Sequence, residues 1–154
     1  MTVQITAPVI LVVDDNPDAL DIASRLLERE GYQTRRASGG PACLEIVRTE
    51  PVDLVLLDVM MPGMDGFEVC TALRELDAGK RLPIIMLTAR DDVDTRLEGI
   101  HHGVSEFLTK PINRHELCAR VRAQLHILEL TRRLETVERN LASRNDRPTP
   151  SSTR

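Results

Sequence analysis

Apolar residues come in blocks along this chain, and the blocks alternate between two periods. Val9-Ile-Leu-Val-Val13 is an unbroken run of aliphatic side chains. A run apolar on both faces suits a strand buried between two helix layers. Asp53 to Asp58 and Pro83 to Thr88 repeat that pattern. Gln33 to Ala37 is more polar and reads as an edge strand, and Val104 to Leu108 makes a short fifth. The intervening stretches change to helical spacing. Asn16 is a helix N-cap with Pro17 at the first helical position, and Leu20, Ala23, Leu26 and Leu27 follow until Gly31 stops the helix. Gly39-Gly40-Pro41 opens a second helix with Leu44, Ile46 and Val47 on its apolar side. Phe67, Val69, Cys70, Leu73 and Leu76 mark a third, ending near Gly79. Asp91 to His101 is a weaker, polar helix with Val93, Leu97 and Ile100, stopped by Gly103. Asn113, with Glu116 three residues on, caps a fifth.

Strands alternating with helices of this length predict βαβ units, a parallel sheet and right-handed crossovers. The expected fold class is α/β, a doubly wound five-stranded sheet flanked by five helices. Ligands of such sheets bind outside the carboxyl ends of the strands, where strand order reverses.

That rule gives any chemistry an address. The first strand ends in Asp14 and Asp15, the third in Asp58 and the fourth in Thr88; Lys110 follows the fifth. Taken singly, each has a plain structural explanation: an Asp after a strand is more often a turn former or cap, and a Lys-Pro step is a loop. Together they put three carboxylates, one hydroxyl and one ammonium on one rim. Two carboxylates about 4 Å apart repel by about 4 kcal/mol at an effective dielectric of 20, so such a cluster raises pKa values or recruits a cation. Oxygen donors without sulfur or imidazole suit Mg²⁺, which favours sites shared with phosphate. A carboxylate beside such an ion is a nucleophile toward phosphorus, with lysine and metal balancing the transferred charge. Asp58, the single acid closing the central apolar run, is the candidate nucleophile.

Composition narrows the rest. The chain has 154 residues, 42% apolar and 29% charged, with only Tyr32, Phe67 and Phe107 aromatic. That is one domain with an appendage, large enough to bury a core and too apolar for wholesale disorder. No apolar run approaches the ~20 residues of a membrane span, and Met1 to Pro8 shows no secretory signal. Cys43, Cys70 and Cys118 have neither disulfide nor zinc-site spacing and read as buried reduced thiols of a cytoplasmic protein. Residues 1–112 carry 11 basic and 19 acidic side chains, and residues 113–154 carry 9 and 5. The acidic body argues against nucleic acid as the main ligand.

Four short motifs in order resemble the receiver domain of two-component response regulators. They are Val12-Val13-Asp14-Asp15, Leu57-Asp58-Val59-Met60-Met61-Pro62-Gly63-Met64-Asp65-Gly66, Pro83-Ile84-Ile85-Met86-Leu87-Thr88-Ala89, and Phe107-Leu108-Thr109-Lys110-Pro111. The resemblance covers about Val9 to Leu125 and implies a flavodoxin-like, CheY-like sheet of strand order 2-1-3-4-5. It implies that Asp58 accepts a phosphoryl group from a sensor histidine kinase or a histidine phosphotransfer protein. Asp15, Asp58 and the Met60 backbone carbonyl would hold Mg²⁺, with Asp14 acting through a water. Thr88 and Lys110 would hold the phosphoryl oxygens. Thr88 and Phe107 would form the switch that alters the helix 4–strand 5–helix 5 face, and Lys110-Pro111 would be cis. Gly63 and Gly66 would shape the loop beside the site through positive φ. Met60 and Arg90 would flank the water that removes the phosphoryl group, where their bulk and charge hinder it. No turnover beyond self-phosphorylation and autodephosphorylation is implied.

The helical pattern outlasts the receiver. From Asn113 to about Ala142 there is no Gly or Pro, a span of about 44 Å against a body about 35 Å across. Ile127, Leu130, Leu134, Val137 and Leu141 repeat at spacings of three and four, a heptad seam that suits a homodimer or a docked partner. The expected layout is a tail at 1–8, a receiver at 9–125, a helical extension and candidate coiled coil at 126–142, and a disordered tail at 143–154. Nothing after Leu125 has helix-turn-helix spacing, so no DNA-binding domain is expected. One alternative is a receiver cut from a larger protein such as a kinase or diguanylate cyclase. Another is a haloacid-dehalogenase-like phosphatase. That class begins with Asp-x-Asp, whereas adjacent Asp14 and Asp15 are expected to point to different faces.

Overall fold

The unbroken apolar runs become the inner strands of one sheet. The computed structural model describes residues 6–89 and 92–146, without the side chains of Asn145 and Asp146. In chain order the elements are β1 (Val9–Val13), α1 (Pro17–Arg29), β2 (Gln33–Ala37), α2 (Gly40–Thr49), β3 (Leu54–Asp58), α3 (Gly66–Glu75), a 3₁₀ turn (Asp77–Gly79), β4 (Ile84–Thr88), α4 (Val93–His102), β5 (Glu106–Thr109) and α5 (Arg114–Asp146). The sheet is parallel throughout with order β2-β1-β3-β4-β5. The polar strand β2 lies at one edge and β5 at the other.

Alternate residues of the inner strands feed two cores. Ile10, Val12, Leu54, Leu56, Ile85 and Leu87 pack beneath α1 and α5, against Ala23, Leu27, Leu117 and Val121. Leu11, Val13, Val55, Leu57, Ile84 and Met86 pack on the other face, against Cys43 and Val47 of α2 and Val69, Cys70 and Leu73 of α3. Full burial of each such side chain stabilises the fold by roughly 1.5–3 kcal/mol, which explains why β1, β3 and β4 tolerate no polar interruption.

The caps follow sequence chemistry. The Asn16 side chain accepts from the N–H groups of Asp18 and Ala19 at 2.9 and 3.2 Å. Asp65 caps α3 through the Glu68 N–H at 2.9 Å, and Asn113 caps α5 through the Glu116 N–H at 3.1 Å. Asp92 caps α4, whose only buried residue is Gly99. Val93, Leu97 and Ile100, the apolar positions of that helix, stand in solvent.

Two boundaries differ from expectation. Residues 143–146, assigned to the tail, continue α5, because no Gly or Pro interrupts the sequence before Pro148. Residues 147–154 lie outside the described part, as do Met1 to Ile5. Of the expected N-terminal tail, Ala7 and Pro8 are tied to β2. Their carbonyls accept from the Gln33 side chain at 3.1 Å and its N–H at 2.9 Å.

Helix α5 is 33 residues and therefore about 50 Å long. Its first turns cover the sheet. Beyond Leu125 it runs past the amino ends of the strands, where Leu128 is buried. There Arg132 meets Asp53 at 3.1 Å, and Glu135 pairs with Arg81. Residues 136–144 are exposed on every side.

Candidate functional site

β1 has β2 on one side and β3 on the other, so strand order reverses between β1 and β3. The carboxyl ends of those two strands carry Asp14 and Asp58. Each is only 4% exposed, while Asp15 faces solvent. One oxygen from each of Asp14, Asp15 and Asp58 lies within 4.8 Å of the others. The expectation that Asp14 and Asp15 diverge is therefore wrong. β1 ends at Val13, and beyond it the strand alternation that would send neighbours to opposite faces no longer applies. Asp14 Oδ1 accepts from the Asn16 N–H at 2.9 Å, which fixes that turn.

The other side of the site comes from β4 and β5. Thr88 closes β4 and is 4% exposed. The Lys110 N–H donates to the Thr88 carbonyl at 2.8 Å, aligning the two strand ends. Lys110 Nζ then reaches Asp58 Oδ1 at 2.9 Å and Asp14 Oδ2 at 3.6 Å. Lys110-Pro111 is a cis peptide.

The electrostatics are those of a crowded acidic pocket. Burial pushes the Asp58 carboxyl above the usual carboxylate range, and the neighbouring charges of Asp14 and Asp15 push the same way; the Lys110 ammonium opposes both. Burial by itself would lower the Lys110 ammonium, but its bonds and attraction to Asp58 and Asp14 outweigh that and hold it above the usual lysine range. Among the described residues three clustered carboxylates have the one ammonium of Lys110 beside them, a deficit of positive charge that a divalent cation would fill. The donor set is entirely oxygen, with no sulfur or imidazole among the converging groups, and so fits Mg²⁺.

The loop beside Asp58 is held by two glycines, for different reasons. Gly63 has φ of +81°. Gly66 does not have positive φ, contrary to expectation. A Cβ there would lie 2.6 Å from the Asp58 carbonyl oxygen and 2.8 Å from Val59 Cα, so Gly66 is needed for close approach to the strand end. Met60 stands two residues past Asp58 with its side chain 74% exposed. Arg90 lies outside the described residues.

Phe107 in β5 points inward, 9% exposed, and joins the core shared with α2 and α3. Its ring lies directly against α4: a Cβ on Gly99 would sit 1.9 Å from the ring Cζ. Sequence reasoning missed Gly99, although a glycine in the middle of a helical pattern was the available signal. It missed Arg74 as well. That half-buried guanidinium donates to the carbonyls of Gly79 at 2.8 Å, Leu82 at 2.6 Å and Gly103 at 2.7 Å. It thus ties the end of α3 to the turn that follows α4.

Comparison with known proteins agrees with this architecture. Residues 10–122 match the family model for the response regulator receiver domain. The transcriptional regulatory protein YvrH of Bacillus subtilis is 44% identical over 117 residues, which cover 75% of this chain and 48% of that one. The chain spans no more than about half the length of the curated relatives it matches. The chemotaxis protein CheY4 of Vibrio cholerae superimposes with a TM-score of 0.75 at 30% identity, over 77% of this chain and 98% of that one. The receiver domain of sensor histidine kinase PA1611 from Pseudomonas aeruginosa PAO1, solved with a magnesium ion coordinated in the active site cleft, has a TM-score of 0.73 at 27% identity. It covers 79% of this chain and 99% of that one. Fold, carboxylate cluster and family match converge, and the chain belongs to the response regulator receiver domain family.

Proposed function

We propose that this chain takes a phosphoryl group onto Asp58 in a Mg²⁺-dependent reaction and signals by a change of surface. The observation that carries the reading is the setting of Asp58: 4% exposed, beside two other carboxylates, with Lys110 Nζ at 2.9 Å. The phosphodonor is a histidine of a sensor kinase or a phosphotransfer protein. An Asp58 carboxylate oxygen forms the new bond to phosphorus while the bond to the donor imidazole nitrogen breaks. The electron pair leaves with that nitrogen. Lys110 and the Thr88 hydroxyl then bind the oxygens of the transferred group.

Asp15, Asp58 and the Met60 carbonyl would hold Mg²⁺, with Asp14 one water away. When bound, the ion supplies positive charge against the phosphoryl oxygens. The PA1611 receiver is solved with magnesium coordinated in its active site cleft, and this chain offers clustered carboxylates at the carboxyl ends of its strands.

The switch couples Thr88 to Phe107. Motion of the Thr88 hydroxyl toward the phosphoryl group frees space that the Phe107 ring fills, and α4 answers because the ring rests on Gly99. Phenylalanine has no hydroxyl, so packing alone separates the two ring positions. Met60 and Arg90 slow the return by hindering the hydrolytic water. The protein turns over nothing else. Among the described residues no helix is long and apolar enough to cross a membrane. The reading puts the chain in the cytoplasm, where its three buried, unpaired cysteines stay reduced.

A second reading keeps the chemistry and changes the output. Because the matched segment covers only 48% of one curated relative and 25% of another, the chain can be the receiver part of a larger output protein. The length of the natural gene product decides between them.

Beryllofluoride with Mg²⁺, a mimic of the phosphorylated aspartate, tests the switch. Amide NMR shifts should appear around Asp58 and spread to α4 and β5. In Phe107→Ala the shifts at the site should persist while those on α4 shrink. A full α4 response without the ring would contradict the switch assignment.

A further inference from the structure

Helix α5 has two apolar stripes, and the body uses only one. Val121, Leu125 and Leu128 face the sheet and its amino rim, and Arg132 and Glu135 extend that line through their pairs with Asp53 and Arg81. Ile127, Leu130, Leu134, Val137 and Leu141 form the other stripe, each between 49% and 59% exposed. At 100° per residue the two stripes lie roughly 160° apart. The second stripe therefore cannot be satisfied by the helix folding onto its own body, because the body already holds the opposite side.

We propose that this stripe is the interface of a parallel, in-register homodimer. Ile127, Leu134 and Leu141 occupy position a of a heptad repeat, and Leu130 and Val137 occupy position d. The flanking charges choose the partner and its direction. Position g carries Arg133, and the following position e carries Glu138. In a parallel pair of identical helices, g of one faces the next e of the other, so Arg133 meets Glu138 of the second copy, twice by symmetry. An antiparallel pair sets g against g and e against e, and no register then brings an arginine to a glutamate. Arg133 can make the exchange at little cost, since in one chain its ion pair among the described residues is with exposed Glu129 on its own helix, at 2.6 Å. Because the body holds the opposite side of α5, the two bodies would lie on the outer sides of the helix pair. The two acceptor sites then sit at the same end of the assembly. The proposal is independent of the phosphotransfer reading, because it rests on α5 alone.

Sedimentation equilibrium of the full chain, without phosphodonor and across a wide concentration series, tests it. The wild type should fit a monomer–dimer equilibrium. Leu134→Asp should be monomeric at every concentration, with unchanged circular dichroism, because that residue is 59% exposed and belongs to neither core. Arg133→Glu should weaken the dimer about tenfold, and Arg133→Glu with Glu138→Arg should restore it. Leu130→Cys should cross-link as a symmetric dimer on mild oxidation. A monomer at all concentrations, a trimeric or tetrameric mass, a dimer that survives Leu134→Asp, or charge swaps without effect would each overturn the proposal. Labelling of Asp58 in the monomeric Leu134→Asp variant separates failure here from failure of the phosphotransfer reading.

Discussion

At the carboxyl rim of the sheet, Asp14 and Asp58 are almost wholly buried beside Asp15, and among the described residues the Lys110 ammonium pairs with the two buried ones. At the amino rim the pairs are balanced one to one and half exposed: Arg132 with Asp53, and Arg81 with Glu135. The contrast separates charge kept for chemistry from charge kept for attachment. Buried like charges cost stability and persist where a ligand will relieve them. Exposed balanced pairs contribute little, typically ~0.2–1 kcal/mol, and cost little. Asp53 shows how the amino rim works. One of its oxygens accepts from the Val9 N–H at 2.8 Å and the other from Arg132 at 3.1 Å, so one residue joins β1, β3 and α5.

The sharpest way to break this contrast is Lys110→Ala, which removes the ammonium that pairs with Asp58 and Asp14 in the acidic pocket. Phosphorylation of Asp58 by a small phosphodonor should slow by about 10²-fold, a typical loss for one preorganised electrostatic contact. Initial labelling rates at saturating Mg²⁺ measure it. Next comes Gly99→Ala. Alanine is favoured over glycine in a helix by about 1 kcal/mol. Here it should instead destabilise by ~1–3 kcal/mol, because its Cβ overlaps the Phe107 ring. Phe107→Leu should relieve much of that cost in the double variant. Additive losses in a denaturation cycle would show that the contact is unimportant.

Asp58→Asn carries the opposite sign. Its carboxyl is raised in the fold, so the folded state disfavours the charged form. Stability from this group is therefore lost as pH rises from the ordinary carboxylate value through the raised one, and stays lost at neutral pH. The asparagine variant should be more stable at pH 7 by on the order of 1 kcal/mol without Mg²⁺, and its advantage should vanish in acid. Lys110, also raised, contributes stability that is present below the ordinary lysine value and lost only as pH climbs through the folded one. The smallest effect belongs to the amino rim. Arg132→Ala should cost under about 1 kcal/mol, and that loss should shrink further in high salt. Urea denaturation at two ionic strengths checks it.

Much of this was legible in the chain itself, and the rest has identifiable reasons. β1, β3 and β4 stand out because both their faces are buried, leaving no polar residue inside the runs. Asp14, Asp58, Thr88 and Lys110 stand out because they end or follow those runs, and the strand-end rule brings them together. Helix α4 was harder to read. Its apolar residues face solvent, so its pattern does not report packing. Gly66, Gly99 and Arg74 depend on contacts with distant backbone or rings, and periodicity carries no information about them. The bracing of α5 is equally non-local: Arg132 and Asp53 are 79 residues apart in sequence.

The central claim is that Asp58 is the phosphoryl acceptor. Intact-mass measurement after incubation with a small phosphodonor tests it most directly, with Mg²⁺ present or chelated, in wild type and Asp58→Asn. The account predicts one added phosphoryl group in the wild type with Mg²⁺, mapped to the peptide that contains Asp58, and none with chelator or in the variant. Equal labelling of Asp58→Asn, or labelling indifferent to Mg²⁺, would contradict it.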